Sequence, residues 1–336
     1  MKISFLQMRR ALNVALFVLL LSVVGTKNTF AQTQLATLQH GDDLSVFYGP
    51  NAFVNAHNAA QGGDVITLSG GSFMPCTITK GITLRGAGCE IDTVANITPT
   101  IFSSGITLNV ADGPNALNVE GILFNCTVSF QKLYNPIFTK CYMDKWDDYY
   151  SYSNSSYSSH AQFVDCFIKS FENRYCTSTI FINSVVGSFS SNSSYHCTAY
   201  NSIIKPSDYL YALSAYNCII QQASGTPSNC SFINCIGIGG NPFGGSNTID
   251  CASYGSYGDV FETFTGNFNY GVSFVLKDEI ATGFLGTDGT QVGVYGGFMP
   301  YDIRPSYMVV RRCNVSNRTT ADGKLNVDIE VITEGD

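Results

Sequence analysis

The sequence is poor in charge, in histidine and in tryptophan. Only 13% of its 336 residues are Asp, Glu, Lys or Arg, and it holds four histidines and one tryptophan. With so few histidines and no paired Cys-x-x-Cys at zinc spacing, no metal site is assigned and no cofactor is expected. Beyond residue 31 no apolar run is long enough to span a membrane as a helix. Basic residues number 18 against 25 acidic ones. That balance argues against nucleic acid and anionic membranes as partners.

The first 31 residues stand apart. Lys2, Arg9 and Arg10 open the chain, "ALNVALFVLLLSVVG" follows as an apolar run, and "TKNTFA" offers small residues before Gln32. This is the order of a secretory signal peptide. Removing Lys2, Arg9, Arg10 and Lys27 leaves 14 basic residues against 25 acidic ones, a formal charge of −11. The expectation is a secreted protein, periplasmic, on the outer surface or extracellular, and not an integral membrane protein once the signal is cleaved. The abundance of Ser, Thr, Asn, Gly and Tyr suits an exported β-protein with polar, uncharged faces.

Twelve cysteines in an exported chain first suggest disulfides. A repeat supplies another reading. The phrases "LFNCTV", "FTKCYM", "FVDCFI", "FINSVV", "AYNSII", "AYNCII" and "FINCIG" align on a polar residue: Asn125, Lys140, Asp165, Asn183, Asn201, Asn217 and Asn234. A small residue follows each: Cys126, Cys141, Cys166, Ser184, Ser202, Cys218 and Cys235. Successive copies lie 15, 25, 18, 18, 16 and 17 residues apart. Apolar alternation on both sides of a turn-prone residue marks short strands with one inward face. Asn tolerates the left-handed conformation and bonds its neighbours, so Asn125, Asn183, Asn201, Asn217 and Asn234 are expected to form a structural ladder at the bend. No single coil buries its own inner face, so the coils must stack. The fold class is therefore all-β, a parallel β-helix, and intervals that break any hexapeptide period favour the right-handed form. The cysteines then read as small residues stacked inside the solenoid. In-register side chains point in parallel at roughly 4.8 Å, whereas a disulfide needs converging Cβ atoms, so free thiols are expected.

The ends fit the same plan. "PNAFVNAHNAAQGGDVITLSGGSF" starts with Pro50, carries apolar residues on one helical face and changes to strand alternation after Gly62-Gly63. A short helix there would cap the open end of the solenoid. Periodicity fades after Ile238, and "KLNVDIEVI", residues 324–332, alternates as a strand after a turn at Asp322-Gly323. The expected organisation is a signal peptide over 1–31, an N-terminal cap over 32–63, the parallel β-helix with an irregular C-terminal cap over 64–300, and a strand or hairpin extension over 301–336. "AAQGGDVITLSGGSFMPCTITKGITLRGAG" resembles the N-terminal cap and first coil of secreted right-handed parallel β-helix proteins of the pectate-lyase-like superfamily. "DGTQVGVYGG", residues 288–297, resembles the closing segment of uncharacterised exported proteins of that kind from Gram-negative bacteria. The resemblance implies the fold and leaves the activity open, since such proteins include lyases, hydrolases, epimerases and adhesins.

Motifs for chemistry are scarce. His40, His57, His160 and His196 stand in no Gly-His-Gly context, no Arg-x-Lys segment accompanies Asp147-Asp148, and no arginine recurs in a column. Asp144 and Lys169 each lie four residues after their column's polar member, which places them on neighbouring coils as a surface ion pair. The long interval before Asp165 holds "DKWDDYYSYSNSSYSSH", residues 144–160, which is expected to loop out. Its Trp146, Asp147, Asp148, Tyr149, Tyr150 and Tyr152 make a candidate carbohydrate-binding platform, because aromatic faces complement the C–H face of a sugar and acids bond its hydroxyls. The alternative is a solvated loop packing its rings back onto the sheet. The functional expectation is an exported, non-catalytic β-helix that binds polysaccharide or cell-surface glycan, or serves as an adhesion or structural module. The competing reading is a polysaccharide lyase or glycoside hydrolase.

Overall fold

The computed structural model describes residues 34–91, 98–147, 158–173, 176–192, 194–269, 271–304, 309–319 and 325–332. The expected signal peptide lies outside the described residues. From residue 65 the chain winds into a parallel β-solenoid of about nine turns, built on two long sheets of short strands. In one sheet Ile137–Thr139, Gln162–Val164, Thr179–Ile182, Cys197–Tyr200, Leu213–Tyr216, Ser231–Ile233 and Asn247–Ile249 pair in parallel register. In the other, Phe167–Ile168, Val185–Ser191, Ile203–Pro206, Ile219–Gln221, Ile236–Ile238 and Ala252–Tyr254 do the same.

The bend between the sheets is one residue in the left-handed region. Lys140, Asp165, Asn183, Asn201, Asn217 and Asn234 have φ between 45° and 54°. Asn accepts that conformation more readily than most side chains, which accounts for its recurrence. Two details differ from the sequence reading. Asn125 is exposed and lies inside the strand Leu123–Tyr134. Its turn bends instead at Gly121, φ 64°, because Glu120 is the residue in register with Thr139. The column also continues past Ile238, to Asp250 at φ 50° and Cys251. A second left-handed corner opens the first sheet at Asn135, His160, Ser178, Ala212 and Asn229; the third Asn-Cys pair, Asn229-Cys230, belongs to it.

The small column does more than fill space. Ser202 Oγ donates to Tyr200 O at 2.8 Å and accepts the Ser184 N–H at 3.1 Å. Ser184 Oγ likewise donates to Ile182 O and accepts the Cys166 N–H. Cys218 Sγ repeats the pattern, donating to Tyr216 O and accepting the Ser202 N–H at 3.3 Å. After a left-handed residue the backbone N–H turns inward, and a short side chain from the next coil is what reaches it. Cys and Ser play the same part from Cys141 onward, whereas Ile122 holds this position after Gly121. Cys141, Cys166, Cys218, Cys230, Cys235 and Cys251 are free thiols.

Inside the coils two aromatic columns stack at coil spacing. Phe138, Phe163 and Phe181 lie parallel at 5.3 and 5.5 Å. Opposite them Trp146, Phe171 and Phe189 stack at 6.4 and 5.7 Å, and the columns meet edge to face, as in Trp146–Phe163 at 5.1 Å. Edge-to-face contact adds to the hydrophobic gain of burying large rings. The column passes to Ala199 and Ala215, and Leu210 and Leu213 belong to the same core.

The expected cap helix is α1 (Ala52–Ala59), which buries Ala52, Phe53 and Ala56 on the core end. A hairpin of β1 (Leu35–His40) and β2 (Asp43–Tyr48) adds to the same sheet edge, with β1 antiparallel to Val65–Leu68. Asp64 ties the two, accepting the Gln61 N–H at 2.7 Å and facing His40 Nδ1 at 2.6 Å. A second apolar core lies outside the solenoid. Tyr142, Phe167, Val185, Ile203, Ile219 and Ile236, each next after the small column, point outward and are covered by Val260, Phe261, Phe264, Phe274, Leu276 and Ile280 among others. Strands Val309–Thr319 and Leu325–Ile332 form an antiparallel pair.

Removing the bond made by Ser202 tests the small column directly. Ser202→Ala leaves the buried Ser184 N–H without an acceptor and should cost about 1–3 kcal/mol in chemical denaturation. Ser202→Cys should restore most of that loss; equal destabilisation by both would assign the column to packing alone.

Candidate functional site

The platform expected around Trp146 is not formed as expected. Residues 142–147 continue the sheet beside Leu123–Tyr134, and Trp146 is 0% exposed, packed on Phe130, Phe138 and Phe163. Its ring fills the core and presents no face to a sugar. The pattern was in the sequence: Met143, Ile168 and Val186 are each followed three residues later by an inward aromatic, Trp146, Phe171 and Phe189. Asp147 sits beside Lys145 Nζ at 2.8 Å, and Glu172 meets the same ammonium at 3.0 Å. Asp148, Tyr149, Tyr150 and Tyr152 lie outside the described residues. The surface pair of Lys169 and Asp144 is present at 2.7 Å.

The Asn ladder bonds to itself once, Asn234 Nδ2 donating to Asn217 Oδ1 at 3.4 Å, and has a second task. Its side chains hold residues 285–302 against the corner. Asn234 Nδ2 donates to Leu285 O at 2.7 Å, and Asn217 Oδ1 accepts the Thr287 N–H at 3.0 Å. Asn183 Nδ2 donates to both Val294 O and Gly296 O, at 2.9 and 2.7 Å. This strap climbs the ladder coil by coil, in the direction opposite to the order of the coils in the chain. Close approach explains its glycines. A Cβ at Gly293, φ 80°, would stand 2.8 Å from Ile219 Cδ1, and Gly297, φ 78°, would crowd Asn201. Those demands account for "DGTQVGVYGG".

Further along the strap the ladder members become Asp165 and Lys140, and the strap supplies Asp302 and Arg304. Asp165 is 2% exposed, and its Oδ1 has no hydrogen-bond partner. Burial pushes its carboxyl up to about 7, with Lys140 opposing and Asp302 reinforcing the shift. Burial also opposes the charge of Asp302, but bonds from the Arg304 guanidinium and N–H, at 3.0 Å each, hold its carboxyl below the usual range. Two carboxyls pushed apart are the raw material of acid–base catalysis. Asp165, the member with the raised value, is buried at the corner beside Lys140 and Asp302.

An open groove of about 540 Å³ lies beside the last coils, within the size range of small-molecule clefts. Gln221, Gln222 and Ser224 form one wall, Ser256, Tyr257 and Thr265 the other. Gln221 ends its strand, and Tyr257 is set by the single turn Tyr257–Asp259, where Asp259 Oδ2 accepts the Ser256 N–H and hydroxyl at 2.8 and 2.9 Å. The Tyr257 hydroxyl donates to Gln221 Oε1, and burial raises its phenol well above the ordinary value. Its ring packs edge-on against Phe264 at 5.0 Å. Among the described residues no Asp, Glu, Lys, Arg or His lines this groove. A smaller cleft of about 270 Å³ lies under the strap between Phe274, Tyr295, Tyr301 and the Asp302–Arg304 pair.

Among the described residues no three His, Cys, Asp or Glu side chains converge as metal ligands. His196 Nε2 lies 2.8 Å from Ser214 Oγ on the next coil. Among the same residues no helix is long and apolar enough to cross a membrane. Compared with protein-family models, with curated proteins and with solved structures, the chain matches none.

Asp165 makes stability depend on pH in a defined direction. Between the ordinary 3.8 and about 7 the unfolded chain ionises at this position while the folded chain stays protonated. Its contribution to stability therefore falls as pH rises across that window and is level above it. Thermal unfolding of Asp165→Asn should lack that slope. An unchanged slope would place the titration elsewhere.

Proposed function

We propose that this chain is an exported, non-catalytic β-solenoid that binds glycan, as a surface adhesion or structural module of the kind found among pectate-lyase-like β-helix proteins. The observation that carries the reading is the groove between Gln221 and Tyr257. Its polar lining is amide, hydroxyl and phenol, with no carboxylate or cation on either wall among the described residues. Such groups exchange hydrogen bonds with sugar hydroxyls, and Ile238 and the Tyr257 ring supply apolar surface for C–H faces. A glycosidase requires a protonated acid and a second carboxylate flanking the scissile bond, and a lyase requires a base beside the abstracted proton. The groove is lined by no carboxylate among the described residues, and its phenol, Tyr257, is kept protonated by burial and donates to Gln221. Export is supported by the basic, then apolar, then small-residue order of residues 1–31.

The test is a panel of polysaccharides presented to the mature chain, residues 32–336, read for retention and for turnover together. Native electrophoresis through polysaccharide-loaded gels should show retardation by at least one glycan, and the same glycan should release no reducing ends and no unsaturated product. Turnover would replace this reading with a lyase or hydrolase, and absence of any retention would remove glycan as the partner.

A further inference from the structure

We infer that the groove takes an uncharged saccharide and that the side-chain amides of Gln221 and Gln222 are its specificity determinants. The inference rests on the glycan-binding reading above and narrows it to a ligand class and to named atoms. Each carboxamide has its oxygen occupied within the protein. Gln221 Oε1 accepts from the Tyr257 hydroxyl, and Gln222 Oε1 accepts the Asn241 N–H at 3.0 Å. Among the described residues neither Nε2 has an acceptor. The internal bonds therefore fix which end of each amide is spoken for, and the wall offers N–H donors at Gln221 and Gln222.

The opposite wall supplies acceptors. The Tyr257 oxygen spends its proton on Gln221 and keeps its lone pairs. Ser256 spends its hydroxyl proton on Asp259 at 2.9 Å and is left as an acceptor in the same way. Sugar hydroxyls, which both donate and accept, match a groove with donors on one side and acceptors on the other. A carboxylate or sulfate accepts only, so it would satisfy the amides and meet lone pairs across the groove. The field is unfavourable to anions as well. No Lys, Arg or His among the described residues lines the groove, Asp259 stands directly behind Ser256, and the whole chain is acidic, −7 formally. Lys205 Nζ lies over the Phe268 ring at 5.3 Å, behind Tyr257 and outside the lining of the groove, so it offsets that field only in part.

The substitution that tests this is Gln222→Glu. It has the same shape and keeps an oxygen for the Asn241 N–H, but replaces the donor with a negative acceptor. The probes are neutral tetrasaccharides of glucose, xylose and mannose, with tetragalacturonate as the acidic counterpart, titrated calorimetrically into the mature protein. At least one neutral tetrasaccharide should bind, and Gln222→Glu should weaken it about tenfold or more, the loss of one hydrogen bond plus an unpaired acceptor. Thermal unfolding of the variant controls for folding. Gln221→Leu serves as a second variant on the same wall and should also weaken binding. Binding of tetragalacturonate in preference to the neutral sugars would overturn the ligand class while leaving glycan binding intact. Neutral binding unaffected by either variant would overturn the assignment to this groove. No binding of any tetrasaccharide by a protein that polysaccharide gels retain would also overturn it, because the retaining surface would then need a longer chain than the groove holds.

Discussion

The corner residue between the two sheets, held in the left-handed region in turn after turn, governs this structure. It redirects the chain between two sheets without a loop, so the strands on either side stay short and in register. It also turns the following N–H inward, away from both sheets. That group has no strand to pair with and has to be met by something small arriving from the next coil. The Ser and Cys column answers this need, and the aromatic columns follow from the spacing it fixes. Because neighbouring coils repeat at the strand spacing, any side chain that suits one turn is flanked by its own counterpart, and flat rings stack readily under that constraint. Phe163 between Phe138 and Phe181 is the plainest case.

The same constraint decides what the sequence can disclose. Lys140 to Asn234 were legible because their partners are copies of themselves at nearly fixed intervals. Asn125 misled because an Asn-Cys pair inside a strand looks identical to one at a corner, and only the pairing of Glu120 with Thr139 separates them. Gly121 performs the bend with a residue that carries no signature of its own column. The final coil at Asp250 was missed because Thr248 and Ala252 stand where the preceding coil has Phe232 and Ile236. Trp146 was misread for the opposite reason: a lone tryptophan near an irregular interval drew attention to the interval, although its offset from Met143 matched Phe171 and Phe189.

Partners outside the repeat were beyond reach. The outward residues Val185, Ile203, Ile219 and Ile236 are apolar on a face that an isolated solenoid would expose, which signals a cover without naming it. Residues 257–303 provide that cover, and their sequence has no period to align. The groove belongs to this aperiodic part. It exists where Gln221 and Gln222, leaving a regular strand, meet a turn built on Ser256 and Asp259 that no repeat specifies. Function in a solenoid concentrates at such departures, since a surface that repeats every turn has little capacity to distinguish one position from another.

The strap gives the molecule a mechanical grain. Its bonds to Asn234, Asn217 and Asn183 are met one after another along the chain, so tension applied from the C-terminal side falls first on the charged end at Asp302 and then on a single rung at a time. Peeling in that direction proceeds as an unzipping, each step opposed by a few hydrogen bonds. Tension along the solenoid axis instead loads whole rows of strand pairs together. A protein fastened at one end and pulled at the other would thus yield at the strap while its coils stay wound, and the outer apolar face would be uncovered under load before the inner core is disturbed.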